Sequence, residues 1–259
     1  MNRLQQLLAE RGERPLVIPY LTSGYPDPAE TLDLLFALAE GGADAIELGM
    51  PFSDPLADGP VIQHASQVAL EAGTRTAWIL ETAAAFRARS AVPLILFGYV
   101  NPVLACGAEK LFREAAAAGV DGLILPDLPP EEAGTLHGAA LEAGLSWIFL
   151  AAPTSSDARL ARIDAASTHL NYCVSVAGVT GARDMLPETL AAYLRRAAGR
   201  MKKPFVVGFG ISRSSQVRQV IPPAAGVVVG SALLRALDEE RDAGARRARA
   251  VRFLRELRA

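Results

Sequence analysis

The stretch IELGMPFSDPLADGP, residues 46–60, sets Glu47 inside an apolar run and places Asp54 and Asp58 in the proline-rich loop that follows. Two carboxylates at different depths of one site can divide acid/base work. One moves protons while the other stays ionised and stabilises positive charge. Strand alternation puts Ile46 and Leu48 on one face and Ala45, Glu47 and Gly49 on the other. The bulky pair suits a helix-covered side, so Glu47 points inward among small neighbours. Desolvation there raises its pKa toward the range useful for proton transfer near neutrality. The plain alternative is a buried carboxylate satisfied by a neighbouring donor. Asp before Pro or Gly is common turn chemistry, and for Asp54 that reading is at least as good as catalysis. Asp58 lies farther along the proline-stiffened loop, where it can fold back and supply the second carboxylate.

Glycines supply a second constellation. VVGFGIS and VVVGSALL each end a β-type run in glycine. Gly208 and Gly210 let backbone N–H groups approach an anion, and Gly230–Ser231 opens a helix. Paired glycine-rich turns after the last two strands of a barrel are a common phosphate site. AGVTG (177–181) offers a third lobe.

The residue types that are missing narrow the chemistry. The three lysines, Lys110, Lys202 and Lys203, lie in a helical stretch or before a strand, which disfavours a Schiff base or pyridoxal chemistry in this chain. His64, His137 and His169 are scattered without metal-ligand spacing, so no metal is expected. The arginines at 246, 247, 249, 252, 255 and 258 interleave with Val251, Leu254 and Leu257 and read as a solvated helix face.

These residues need a frame. Eight β-type runs, PLVIPYLT, AIELGM, PLILFGY, GLILPD, SWIFLAA, NYCVSV, PFVVGFG and GVVVGS, alternate with helical patterns such as 29–40, 108–118 and 131–143. Eight βα units in 259 residues predict a single α/β domain over 1–259, a (β/α)8 TIM barrel. A doubly wound sheet competes, but its dinucleotide turn is absent: GFGISR fails GxGxxG. Leu4, Leu7 and Leu8 predict an extra N-terminal helix. The long stretch between the second and third strands predicts an additional helix in the second unit. A net charge of −2 gives no reason to expect nucleic acid or an anionic membrane as partner, and two distant cysteines fit a reducing cytosol. No apolar run is long enough to span a membrane and no signal-peptide core is legible, so a cytoplasmic protein is expected.

In their order, IELGMPFSDPLADGP, YVNPVL, LILPDLP, AGVTG, GFGIS and VVVGSA closely resemble the tryptophan synthase alpha subunit family, essentially from end to end. The resemblance implies cleavage of indole-3-glycerol phosphate to indole and glyceraldehyde 3-phosphate. Glu47 is then the general acid/base, and Asp58 bonds the indole N–H. Phosphate contacts fall on Gly181, Gly210, Gly230 and Ser231. The ring pocket falls on Tyr20, Phe97, Tyr99, Ile124, Tyr172 and Phe209, with Thr180 on a loop that closes over Asp58. The implied partner is a beta subunit in an α2β2 heterotetramer, which alone carries pyridoxal phosphate. Phe52 and Leu56 would lie at that interface. Val176 stands where many members carry arginine, Tyr20 where phenylalanine is more usual, and Phe97 where leucine is. Three readings compete: a free-standing lyase that releases indole, a barrel kept only to activate its partner, and another phosphosugar barrel.

Overall fold

A computed structural model describes residues 2–175, 188–208 and 210–258. Its strands are β1 (Leu16–Thr22), β2 (Ile46–Gly49), β3 (Leu94–Phe97), β4 (Gly122–Ile124), β5 (Ser146–Trp147), β6 (Leu150–Ala151), β7 (Asn171–Val174), β8 (Phe205–Gly208) and β9 (Gly226–Val229). All pairings are parallel, in the order β5-β4-β3-β2-β1-β9-β8-β7-β6. The two edges of that order are halves of one extended segment, SWIFLA. Within it, Ile148 N donates to Leu123 O (3.0 Å) on one side, and Phe149 O accepts from Tyr172 N (3.1 Å) on the other. The ends are therefore covalently joined, and the sheet closes into eight staves. The expected fifth strand is thus two short pairings that change partner midway.

Both predicted additions to the barrel are present. Helix α1 (Arg3–Glu10) starts at Asn2, whose side chain accepts from Gln5 N while Gln5 reaches back in a capping box. Leu4 is fully buried and would lie 3.5 Å from a Cβ added at Gly122, so it plugs the N-terminal end of the barrel. The β2–β3 connection holds two helices, Pro60–Glu71 and Thr76–Arg87. A further short helix, Val100–Cys106, follows β3 and was not expected. Asp127 caps it, both carboxylate oxygens accepting from Val100 N at 3.1 Å.

The N-terminal face is held by buried carboxylates, each of which accepts a backbone N–H near the start of a strand. Asp121 accepts from Leu94 N (3.0 Å) and pairs with Arg3 (3.2 Å) and Arg87 (3.1 Å). Asp44 accepts from Val17 N (2.7 Å) and pairs with Arg14 (2.5 Å) and Arg258. Asp164 accepts from Asn171 Nδ2 (2.8 Å) and Lys203 N (2.9 Å). The arginine-rich C-terminal helix, Ala243–Arg258, corrects the solvated-face reading in part. Arg246 forks onto both oxygens of Glu30 at 2.7 and 2.6 Å, and Arg258 reaches Asp44 and the Gly42 carbonyl. A guanidinium fork matches a carboxylate in plane, so these arginines fasten the helix to the barrel wall.

Candidate active site

The parity argued for β2 holds. Ile46 and Leu48 are fully buried under the helices, and Glu47, 1% exposed, shares the inward face with Gly49. Gly49 has no side chain because Tyr20 occupies that space. A Cβ there would lie 2.6 Å from Tyr20 Cζ and collide with the hydroxyl. Tyr20 and Glu47 are register partners on β1 and β2. The Tyr20 ring meets Phe97 of β3 edge-on, with centroids 5.5 Å apart, and Thr22 Oγ1 donates to its hydroxyl (3.4 Å).

Tyr172 of β7 repeats the arrangement over Gly208 of β8, where an added Cβ would collide with its phenol. This changes the expectation for Gly208, whose missing side chain makes room for Tyr172 rather than for an anion. Ile124 of β4 is fully buried. Thr180, Gly181 and Phe209, like Val176, lie outside the described residues.

Asp58 comes back over the mouth as its prolines suggested. Its loop is closed by Asp58 N donating to Pro55 O (3.0 Å). The Tyr99 hydroxyl then donates to Asp58 Oδ2 (2.9 Å) and accepts from Ala57 N (3.1 Å). Tyr99 thereby holds both the side chain and the loop. Asp54 stays outside, exposed, its Oδ2 accepting from Ser53 Oγ (2.5 Å), which fits the turn reading.

The electrostatics separate this mouth from the opposite face. Burial pushes the Glu47 carboxyl well above its usual range. Burial also lifts Asp58 to about 6, against the lowering effect of the Tyr99 bond. Neither meets an arginine or lysine among the described residues, whereas the buried Asp44 and Asp121 each have two arginines. Burial is the main reason the Tyr20 and Tyr172 phenols stay protonated, and the charges of Asp58 and Glu47 add to it at both. The two carboxylates thus face the same two rings.

The expected phosphate loops leave from neighbouring strands, because β8 and β9 pair through Val206↔Gly226 and Val207↔Val227. Gly210 takes a left-handed φ of 86°, which a side chain would strain. Gly230 is the N-cap of the helix Ser231–Asp238, and a Cβ there would lie 3.3 Å from Tyr20 Cβ. The helix N-terminus therefore opens beside the ring pocket. Among the described residues, no group of three His, Cys, Asp or Glu side chains is placed to hold a metal ion, and no helix is long and apolar enough to cross a membrane.

One feature of the mouth escaped sequence reading. A cavity of 390 Å³ on its outer side is lined by Phe52, Asp54, Leu56, Ala57, Tyr99, Asn101 and Asp127. Phe52 packs at a tilt of 31° against Tyr99, 5.3 Å between centroids, and Leu56 is 92% exposed. YVNPVL and LILPDLP supply Tyr99, Asn101 and Asp127, but nothing in their local spacing brings them beside the 52–57 loop.

Comparison with known proteins agrees with this geometry. The model of the family described as "Tryptophan synthase alpha chain" matches residues 5–258. The chain belongs to the tryptophan synthase alpha chain family. It is 50% identical over 246 residues to the tryptophan synthase alpha chain of Roseiflexus castenholzii, spanning 95% of this chain and 94% of that one. The crystal structure of tryptophan synthase subunit alpha from Legionella pneumophila is similar with a TM-score of 0.91 at 35% identity, over 100% of this chain and 97% of that one. A structure of the tryptophan synthase α2β2 complex from Pyrococcus furiosus contains a chain similar at 0.88 and 41% identity, over 93% and 97%. The solved neighbours make the closed eight-stave sheet a TIM barrel. The reaction of tryptophan synthase alpha chains is a carbon–carbon lyase step in tryptophan biosynthesis, cleaving indole-3-glycerol phosphate to indole and glyceraldehyde 3-phosphate.

Proposed function

We propose that Glu47 and Asp58 carry out this cleavage as an acid/base pair, within one cytoplasmic barrel domain formed by residues 1–259. The observation that carries the assignment is the pair of burial-raised carboxylates at the mouth, both facing Tyr20 and Tyr172 with no arginine or lysine beside them among the described residues. Protonated Glu47 delivers its proton to indole C3, and the ring becomes a cationic indolenine. Ionised Asp58 accepts the indole N–H and stabilises that cation. Glu47, now a carboxylate, takes the proton of the glycerol hydroxyl as the bond to C3 breaks. The electron pair returns to the ring, which leaves as indole, and the other fragment leaves as an aldehyde. The substrate is its own electron sink, so no cofactor is needed in this chain, and each proton transfer supplies on the order of 10²–10⁴-fold.

In this reading, Tyr20, Phe97, Tyr99, Ile124 and Tyr172 hold the ring, joined by Thr180 and Phe209. Gly210, Gly230 and Ser231 hold the phosphate at the helix N-terminus, joined by Gly181. A beta subunit, the carrier of pyridoxal phosphate in an α2β2 assembly, covers Leu56 and the 390 Å³ cavity. The exposed leucine beside a packed aromatic pair suits a protein partner.

The test is indole release by Glu47→Gln, with and without an added beta subunit. Turnover should fall by at least 10³-fold in both arms while binding of a phosphate-bearing substrate analogue persists. Retained turnover would remove Glu47 from the mechanism.

A further inference from the structure

The reading of Glu47 as the proton-transfer group creates a need that nothing described so far meets. Half of each cycle leaves a carboxylate that is 1% exposed, and a buried ionised carboxylate requires a donor. Among the described residues, the charged groups and phenols around it are Asp58 of the loop, Tyr20 of β1, Tyr172 of β7 and, through Asp58, Tyr99. The Tyr99 proton is committed to Asp58. Tyr172 feels the same charge from the opposite stave, its ring packed over Gly208.

Tyr20 differs from both. Its oxygen accepts from Thr22 Oγ1 at 3.4 Å, so that bond does not use the phenol's own proton. Tyr20 is 5% exposed and Thr22 fully buried, which leaves water little access to that proton. Its ring starts from the register position beside Glu47 and arches over Gly49, the next inward position of β2. The hydroxyl is therefore carried along the face from which Glu47 projects. Gly49 is the residue that allows this approach.

We propose that Tyr20 is a positioning residue for Glu47, its hydroxyl donating to the Glu47 carboxylate whenever that group is ionised, with Thr22 fixing the hydroxyl's direction. The inference rests on the acid/base reading of Glu47 and adds the group that makes its ionised form tolerable. A donor to the charged form pulls the carboxyl back toward neutrality, where it can both give and regain a proton. The phenol itself stays protonated throughout, so it transfers no proton.

The experiment compares the full chain with Tyr20→Phe and Thr22→Val, using two readouts. The first is the titration of Glu47 by carboxyl NMR on carbon-13-labelled protein, which needs no turnover. The second is the pH profile of kcat and KM for indole release. In Tyr20→Phe the Glu47 midpoint should rise by about one pH unit, and kcat should fall about tenfold with KM within about twofold. Thr22→Val should move the midpoint in the same direction by less. An unchanged Glu47 midpoint in Tyr20→Phe would overturn the proposal, as would a shift of Asp58 alone or a change confined to KM. If Glu47→Gln keeps its turnover, the acid/base reading fails, while the NMR midpoint still decides whether Tyr20 bonds Glu47.

Discussion

Asp58 and Tyr99 make a pair whose sign can be worked out. Burial raises the Asp58 carboxyl from 3.8 to about 6, and the Tyr99 bond opposes that rise. Cleavage needs ionised Asp58, so activity should climb with pH through about 6. Tyr99→Phe removes the opposing bond, so this limb should move upward, and turnover at pH 6 should drop severalfold yet recover at higher pH wherever Glu47 keeps its proton. A pH–rate profile of the variant checks it. An unmoved limb would mean that another group sets it. Stability runs the other way. Because the folded-state value is the higher one, protonated Asp58 favours the fold fully below 3.8, and that contribution is lost as pH rises through about 6. Asp58→Asn should flatten this slope in denaturant titrations. His137, half-buried against Trp147 and Phe149, carries the opposite sign. Burial lowers its pKa, so its contribution is full above the ordinary 6.5 and declines as pH falls below it.

At the scale of elements, the two ends of the strands treat charge in opposite ways. On the N-terminal side, Asp121 ties β3, α1 and the Thr76–Arg87 helix together through Leu94 N, Arg3 and Arg87. Removing that charge leaves Arg87, whose side chain is only 12% exposed, with the carbonyls of Gly119, Ser90 and Val92 but no countercharge there. Breaking a buried pair by removing one partner costs about 3–5 kcal/mol. Asp121→Asn should therefore lose about 3 kcal/mol in urea unfolding while KM stays near the parent value. Gly49→Ala acts at the other end. Its methyl displaces Tyr20, at an overpacking cost of about 1–3 kcal/mol, and kcat/KM should fall more than stability does. Glu47 was legible because strand parity is local: Ile46 and Leu48 needed the helix-facing side, which left one direction for Glu47. The partner of Gly208 was not, because Tyr172 comes from the neighbouring strand and register is set by the whole closed sheet. The break in SWIFLA was hidden for the same reason. Its residues are good strand formers throughout, and only the change of neighbour at Ile148 and Phe149 divides them.

For the whole molecule, the proposed reading puts the beta subunit at the mouth. Tyr99 bonds Asp58 on one side and lines the 390 Å³ cavity with Leu56 and Phe52 on the other. Among the described residues nothing covers Leu56, which is 92% exposed on a loop held by the Leu56 N–Asp54 O bond at 2.9 Å. A subunit docked here would bury that leucine and press on the loop that carries Asp58. Binding and catalysis would then be coupled through one tyrosine, and linkage makes that coupling reciprocal for binding. A bound substrate analogue that engages Asp58 should tighten association with the beta subunit by the same factor that the subunit tightens the analogue. Leu56→Asp puts a charge in the covered patch. Such a change at an interface centre costs about 1–3 kcal/mol, or roughly 5–150-fold in affinity. Titrating the beta subunit against each chain, with and without the analogue, separates the two effects. Leu56→Asp should weaken association in both states and leave the analogue's factor in place. Tyr99→Phe should shrink that factor, because it cuts the link between cavity and carboxylate. A full analogue effect in Tyr99→Phe would place the coupling outside this contact.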